Sequence, residues 1–233
     1  MTYAVHVRIL SVDSSLGTEV LVCDADAGHI EVLTRSAQPD SRRHAESLGP
    51  MLAEALADPV VADRPLDAVV AATGPAPFTG LRAGLVSART VARVRGVPVH
   101  GVPSLDAVAR AALDAAGGQG IVRVLTDARR QEVFTARYRA RGADDVELLG
   151  AIEVLAPADV PLDDAEAVAG SGALLYPELV AGRPVLATVS GDAAAQVRLA
   201  LARLADGRAP LDTEPLYLRH ADAQVPGARK RAR

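Results

Sequence analysis

Thr73-Gly74-Pro75-Ala76-Pro77-Phe78-Thr79-Gly80-Leu81-Arg82-Ala83-Gly84 stands between an apolar, strand-like run (Leu66 to Ala72) and a helical pattern (Leu81 to Arg95). Glycine tolerates positive φ and proline presets φ, so a loop of this composition closes tightly. Thr79 is placed to cap the following helix through its hydroxyl oxygen. A helix N-terminus after such a loop offers free N–H groups and partial positive charge, the setting of a phosphate-binding loop. Yet the loop holds no lysine, and the only lysine of the chain is Lys230. The stretch has the frame of a nucleotide site without its usual chemistry.

Upstream, strand-like runs Val7 to Asp13, Thr18 to Cys23 and Ile30 to Thr34 are separated by the turns Ser14-Ser15-Leu16-Gly17 and Asp26-Ala27-Gly28. A helical stretch from about Arg43 to Ala57 carries Leu48, Leu52, Ala55 and Leu56 on one stripe, with Pro50 inside predicting a kink or a late start. Downstream come a short strand near Val97 to Val102 and a helix capped by Ser104 that Gly117-Gly118 stops. Ile121 to Asp127, a turn, and Glu132 to Arg139 then repeat the opening phrase of strand, aspartate, turn, strand. The repeat predicts a duplicated α/β lobe, divided into residues 1–103 and 104–233. Ala167 to Ala169 reads as a short strand before Gly170-Ser171-Gly172 and a helix near Leu174 to Val180. Ser190 is placed to cap a helix from Ala193 to Ala205, Pro215 to Arg219 reads as extended, and Arg229 to Arg233 form a basic tail.

With 233 residues, 49% apolar and 23% charged, the chain can bury a substantial core. A net charge of −4 gives no broad electrostatic case for autonomous nucleic-acid binding. The single Cys23 excludes an intramolecular disulfide and reads as a core cysteine. No basic segment followed by an apolar run opens the chain, and no run approaches the roughly 20 residues that span a bilayer, so a cytoplasmic protein without membrane contact is expected. His6, His29, His44, His100 and His220 include no i, i+4 pair able to hold a metal on one helix face. No Gly-x-Ser-x-Gly elbow is present.

The loop Gly74 to Gly84 is similar to the Gly-Pro-Gly-Ser-Phe-Thr-Gly-Leu-Arg-x-Gly hallmark of the TsaB (YeaZ) family, which belongs to the bacterial machinery making N6-threonylcarbamoyladenosine (t6A) in tRNA. Further matches follow in the family's order: Leu10-Ser11-Val12-Asp13-Ser14-Ser15, His44-Ala45-Glu46-Ser47-Leu48, Thr126-Asp127-Ala128-Arg129-Arg130 with Glu132-Val133-Phe134, and Pro215-Leu216-Tyr217-Leu218-Arg219. Ala76 stands where the family has glycine and Pro77 where serine is common. Ala76 disfavours φ > 0 and narrows the space for a phosphate.

The resemblance implies two tandem actin-like, ribonuclease-H-like α/β lobes with mixed sheets flanked by helices. It implies a non-catalytic subunit that pairs with the transferase TsaD, together with the ATPase TsaE, or with a second copy of itself. Contact with tRNA would be at most indirect, through the complex. No catalytic residue, metal or cofactor is expected, and weak nucleotide binding at a subunit interface stays open. Asp13, Ser14, Ser15, Gly74, Thr79, Gly80, Arg82 and Asp127 are read as vestiges of nucleotide-site loops. Arg129 and Arg130 occupy the approach that a phosphate hairpin keeps open with glycines. His44, Ser47, Leu48 and Met51 on the first helix, with Gly84, Ser87 and Val91 on the helix after the loop, are the expected partner-binding residues. The alternatives are a metallopeptidase of the glycoprotease type and an autonomous actin-like ATPase or kinase.

Overall fold

Six of the seven residues of β1 (Val7–Asp13) are buried, the mark of a strand covered on both faces. A computed structural model describes residues 6–26, 29–39, 44–162, 167–180, 182–186, 188, 190, 192–208 and 211–218. Arg43, Arg219, His220, the tail Arg229 to Arg233 and part of the Asp26-Ala27-Gly28 turn lie outside the described residues, as does the side chain of His44. β1 pairs antiparallel with β2 (Thr18–Asp26), which pairs antiparallel with β3 (His29–Gln38). On its other side β1 pairs parallel with β4 (Ala68–Ala72), and β4 with β5 (Val99–Val102), giving the order β3-β2-β1-β4-β5. The connections carry α1 (His44–Ala57), the short α2 (Pro59–Ala62) and α3 (Phe78–Arg95). α1 runs through Pro50 without a break.

The second half repeats this scheme. After α4 (Ser104–Ala115), β6 (Ile121–Arg129), β7 (Glu132–Arg141) and β8 (Asp145–Leu148) form an antiparallel meander. β9 (Glu153–Leu155) pairs with β7. β10 (Ala167–Ala169) lies parallel to β6, and Val185 bridges parallel to Val168, so the order of the first sheet recurs. α5 (Ser171–Leu175) and α6 (Ala193–Ala205) complete the α-helices among the described residues, α5 being shorter and earlier than the expected Leu174 to Val180. The two-lobe α/β fold with mixed sheets is therefore observed.

Alternation along the strands sorts the core into three. On one face of the first sheet Leu10, Val12, Val20 and Val22 meet Leu48 and Leu52 of α1 and Leu81, Leu85, Ala88 and Ala92 of α3. On the opposite face Ile9, Leu21, Cys23 and Val70 share a core with Val122, Val124, Ala136 and Tyr138 of the second sheet. α4 and α6 fill the space between the sheets, crossed over. α4 packs on β6, β7 and β8, while α6 packs on β1, β4 and β5. The helix that follows the first sheet thus packs on the second, and the helix that follows the second packs on the first. The third core, around Leu125, Val133, Val168 and Ala173, covers the far face of the second sheet.

Three expected caps are not used. α3 begins at Phe78, with Pro77 at the N-cap position and no side-chain cap, so Thr79 lies exposed in the first turn. Ser104 starts α4 rather than capping it, and its hydroxyl accepts a hydrogen bond from Gly74 N–H (3.0 Å) while its own N–H donates to the Gly74 carbonyl (2.7 Å). Asp192, not Ser190, caps α6, its carboxylate accepting from Ala194 N–H (2.8 Å).

Candidate functional site

The turns after β1 and β6, the Gly74–Pro77 loop and the start of α5 converge at one end of the two sheets, where an actin-like fold would hold a nucleotide. The Asp13 carboxylate accepts from Ser15 N–H (2.7 Å) and from Gln196 Nε2 (2.6 Å), and Gln196 Oε1 accepts from the Ser11 hydroxyl (3.2 Å). Burial pushes the Asp13 carboxyl up, opposed by these donors. The carboxylate is therefore committed to joining β1 to α6. Ser14 donates to the Gly80 carbonyl (2.7 Å), and a Cβ on Gly84 would overlap the Ser14 hydroxyl. Gly84 is thus needed for the approach of α3 to the β1–β2 turn.

The β6–β7 turn is closed in a parallel way. Asp127 accepts from Arg129 N–H (2.7 Å) and pairs with the Arg129 guanidinium (3.0 Å), while its own N–H donates to Ser171 Oγ (3.1 Å). Arg129, Arg130 and Gln131 have φ of 64°, 56° and 59°. Successive left-handed residues make a tight hairpin tip of the kind that usually takes Asn-Gly, here built from long side chains at a conformational cost of about 1–2 kcal/mol per residue. Between the turns a cavity of only about 10 Å³ remains, lined by Ser15, Leu16, Ala76, Pro77, Thr126 and Asp127. That is the lower limit for a single water.

A wider recess of about 470 Å³ opens beside Asp13, Ser15, Glu19, Gln38, Ser171 and Ser190. Its charged lining is acidic. Burial raises the Glu19 carboxyl to about 7 against the nearby Arg35 guanidinium, with Asp192 and Asp13 adding to the rise. A carboxyl raised from 4.5 to about 7 on folding stabilises the fold fully below pH 4.5 and loses that contribution as pH climbs through 7. Glu19→Gln should therefore melt about 2–4 °C above the wild type at pH 8, an effect of about 1 kcal/mol after solvent screening, and no higher at pH 4. A melting temperature for Glu19→Gln below that of the wild type at pH 8 would mean that Arg35, not burial, governs this carboxyl.

Of the residues read as nucleotide-loop vestiges, Asp13, Ser14, Ser15, Gly74, Gly80 and Asp127 are gathered here, whereas Thr79 and Arg82 point away. Arg82 lies on the outer side of α3 with its Nε donating to the Tyr217 hydroxyl (2.7 Å). Among the described residues no three His, Cys, Asp or Glu converge to hold a metal ion. Cys23 is fully buried in the inter-sheet core, which pushes its thiol up to about 12.

The expected partner-facing set is partly turned inward. Leu48 is in the core, Gly84 faces Ser14, and Met51 and Val91 are half-buried against the α1–α3 core. Ser47 and Ser87 are half-buried as well. The outward ridge of α3 is instead Phe78, Arg82, Val86, Thr90 and Val94, spaced by four residues. Val86 and Val94 are 60% and 77% exposed. α1, packed beside α3, shows solvent Glu46, Gly49, Ala53, Glu54 and Ala57. Residues 211–218 lie across the base of α3 as a strap. Leu216 N–H donates to Thr73 O (2.8 Å), and Arg89 donates to the Thr213 hydroxyl (3.2 Å) and carbonyl (2.7 Å). Sequence reasoning missed Gln196 and the Val86–Val94 ridge, and read residues 215–219 as extended without placing them on α3; the i+4 repeat in α3 is the local signal for the ridge.

The family model described as TsaD, tRNA N6-adenosine threonylcarbamoyltransferase, matches residues 36–205. The uncharacterized protein Rv3421c of Mycobacterium tuberculosis is 43% identical over 199 residues, 83% of each chain. The tRNA threonylcarbamoyladenosine biosynthesis protein TsaB of Bacillus subtilis is 32% identical over 101 residues, 42% of each chain. Among solved structures, a Pseudomonas aeruginosa protein described as similar to peptidase YEAZ superposes with a TM-score of 0.76 at 28% identity, covering 91% of this chain and all (100%) of that one. YeaZ from the same organism gives 0.73 at 26% identity, over 90% and 100%.

Proposed function

This chain belongs to the TsaB (YeaZ) branch of the tRNA N6-adenosine threonylcarbamoyltransferase family, and from that premise we propose that it is a non-catalytic subunit of t6A biosynthesis. It binds a TsaD-type transferase, acting with a TsaE-type ATPase, through the outer face of α1 and α3. One observation carries the reading. Both turn carboxylates are consumed by their own chain and the recess of about 470 Å³ beside them is lined by the acidic Asp13 and Glu19, a poor setting for phosphates, while the adjoining α3 ridge is left open. A partner of this kind activates by binding the competent conformation of the transferase better than its alternatives. Moving that equilibrium from 1:99 to 99:1 takes a preference of about 5.5 kcal/mol. That lies within reach of a helix-sized apolar contact. No helix among the described residues is long and apolar enough to cross a membrane, in keeping with a soluble assembly.

The decisive variant is Val86→Asp, because Val86 is exposed and its loss leaves the core untouched, unlike Met51→Asp or Val91→Asp. Burying an unpaired carboxylate in an apolar interface costs several kcal/mol. Val86→Asp should therefore weaken binding to the transferase homologue of the same cell by about 100-fold or more in calorimetric titration, with an unchanged melting temperature. Unchanged affinity would sink the reading. Micromolar binding of magnesium-ATP by the isolated chain would instead revive the kinase alternative.

A second reading, self-association, has its own support. The outward side of α3 is bulky and basic (Phe78, Arg82, Val86, Arg93, Val94), and that of α1 is small and acidic (Glu46, Gly49, Ala53, Glu54, Ala57). A two-fold axis would set each against the other's complement. Light scattering of the wild type beside Val86→Asp distinguishes a dimer from a monomer.

A further inference from the structure

Arg82 is held in an unusual way for a surface arginine. Its guanidinium carbon stands 3.6 Å from the Phe78 ring centroid and 5.5 Å from that of Tyr217, and the two rings are 5.1 Å apart. Nε donates to the Tyr217 hydroxyl at 2.7 Å. Among the described residues neither Nη has an acceptor, and no carboxylate lies within ion-pair distance. Most described arginines are spent on carboxylates, as Arg8, Arg89, Arg139, Arg198 and Arg203 are. Nor is Arg82 needed to hold the strap, which Arg89, Thr73 and Gly101 already fasten.

We propose that Arg82, set rigidly by Phe78 and Tyr217, is the anchor that reads a carboxylate of the docking partner. The inference rests on the outer α3 face being the docking surface and adds the chemistry recognised there. An arginine with its stem stacked and Nε occupied presents the two Nη groups as an end-on fork, which matches a carboxylate bidentately. Holding the fork in place beforehand removes the rotamer entropy that a free arginine loses on binding. Aromatic and arginine side chains in an exposed cluster are also what interface hot spots are made of. Phe78 and Tyr217 are 47% and 40% exposed, in a chain with only two phenylalanines and four tyrosines. A nucleic-acid phosphate fits the fork but not its surroundings. The ridge adds the exposed Arg93 but is interrupted by the apolar Val86 and Val94, and the adjacent α1 face carries Glu46 and Glu54, which repel an extended polyanion more than a single carboxylate. A protein carboxylate flanked by apolar side chains fits both.

The test is calorimetric titration of the full chain against the co-expressed transferase homologue. Arg82→Gln should weaken binding by about 30-fold or more, and Arg82→Lys should recover only part, since an ammonium cannot form the fork. Tyr217→Phe keeps the ring and frees Nε, and should cost about 3- to 10-fold. Arg82→Gln binding like wild type while Val86→Asp is weakened would overturn the anchor and leave the docking surface standing. If both bind like wild type, the docking surface falls with it. Arg82→Gln that loses binding of tRNA, or self-association, but keeps the transferase would also overturn the proposal.

Discussion

Replacing Arg8 with methionine should cost the fold about 3–5 kcal/mol, the range found when one member of a buried ion pair is removed. The Arg8 side chain is 4% exposed. Its Nε and Nη2 grip the Asp24 carboxylate at 2.8 Å each. Nη1 donates to the Val61 carbonyl (2.9 Å) and the Val60 carbonyl (3.2 Å), and pairs with Asp63. One side chain thus ties the β1–β2 pair to the end of α2. Methionine fills much of the volume and supplies none of the donors, so two carbonyls and two carboxylates lose this partner together. In a domain of this size the melting temperature should fall by roughly 6–20 °C. The loss should also depend on pH. The hydrogen bond from Arg8 holds the Asp24 carboxyl below its usual range. Its contribution is present at neutral pH and disappears as acid protonates it, so wild type should lose stability below about pH 4 more steeply than Arg8→Met. Urea titrations at pH 7 and pH 3 check both points; a neutral-pH loss under about 1 kcal/mol would show that Arg64, 3.1 Å from Asp24, suffices alone.

Gly101→Val should detach the strap. A Cβ at position 101 would overlap the Asp212 carbonyl oxygen and crowd the Thr73 methyl, and Gly101 N–H donates to the Leu211 carbonyl at 3.2 Å. Backbone of residues 211–212 therefore lies directly on β5, where no side chain fits. Overpacking of about 1–3 kcal/mol adds to lost hydrogen bonds of about 0.5–1.5 kcal/mol each, so about 3 kcal/mol is expected. Amide exchange should locate it: Leu216, bonded to Thr73 O at 2.8 Å, should lose protection while the β1–β2 ladder keeps its own. Wild-type exchange at Leu216 would show that the strap holds by other contacts. Since the strap positions Tyr217, Gly101→Val should also lower partner affinity through Arg82.

The bounds of β1 and α6 are legible in the sequence to the residue, because polar turns flank strong local periodicity in both. The duplicated lobe is legible too, from Asp13 at the end of β1 and Asp127 near the end of β6. Cap assignments at Thr79, Ser104 and Ser190 fail because a hydroxyl near a helix start caps it only if it stands at the N-cap position and is not claimed elsewhere; at α6 that position is held by Asp192. The Gly74 backbone claims Ser104, and α3 starts a turn before the apolar stripe suggests. At the candidate site, the aspartates and the glycine loop are found by motif. Gln196, the partner of Asp13, is 183 residues from it and leaves no local trace. Small and β-branched residues at 84, 87 and 91 of α3 suit either a partner or the interior. At 84 the Ser14 hydroxyl, against which Gly84 closes, turns the glycine inward, a contact that leaves no local trace in the sequence.

The crossed helices α4 and α6 bear on how the chain comes off the ribosome. The face of the first sheet formed by Ile9, Leu21, Cys23 and Val70 receives α6, whose last residue is Ala205. About a hundred residues of synthesis separate the completion of β5 at Val102 from the arrival of that cover. At 5–20 residues per second the nascent first half carries a bare apolar sheet for roughly 5–20 s. A fragment ending near residue 103 is left in that state for good, an oily plane awaiting its lid.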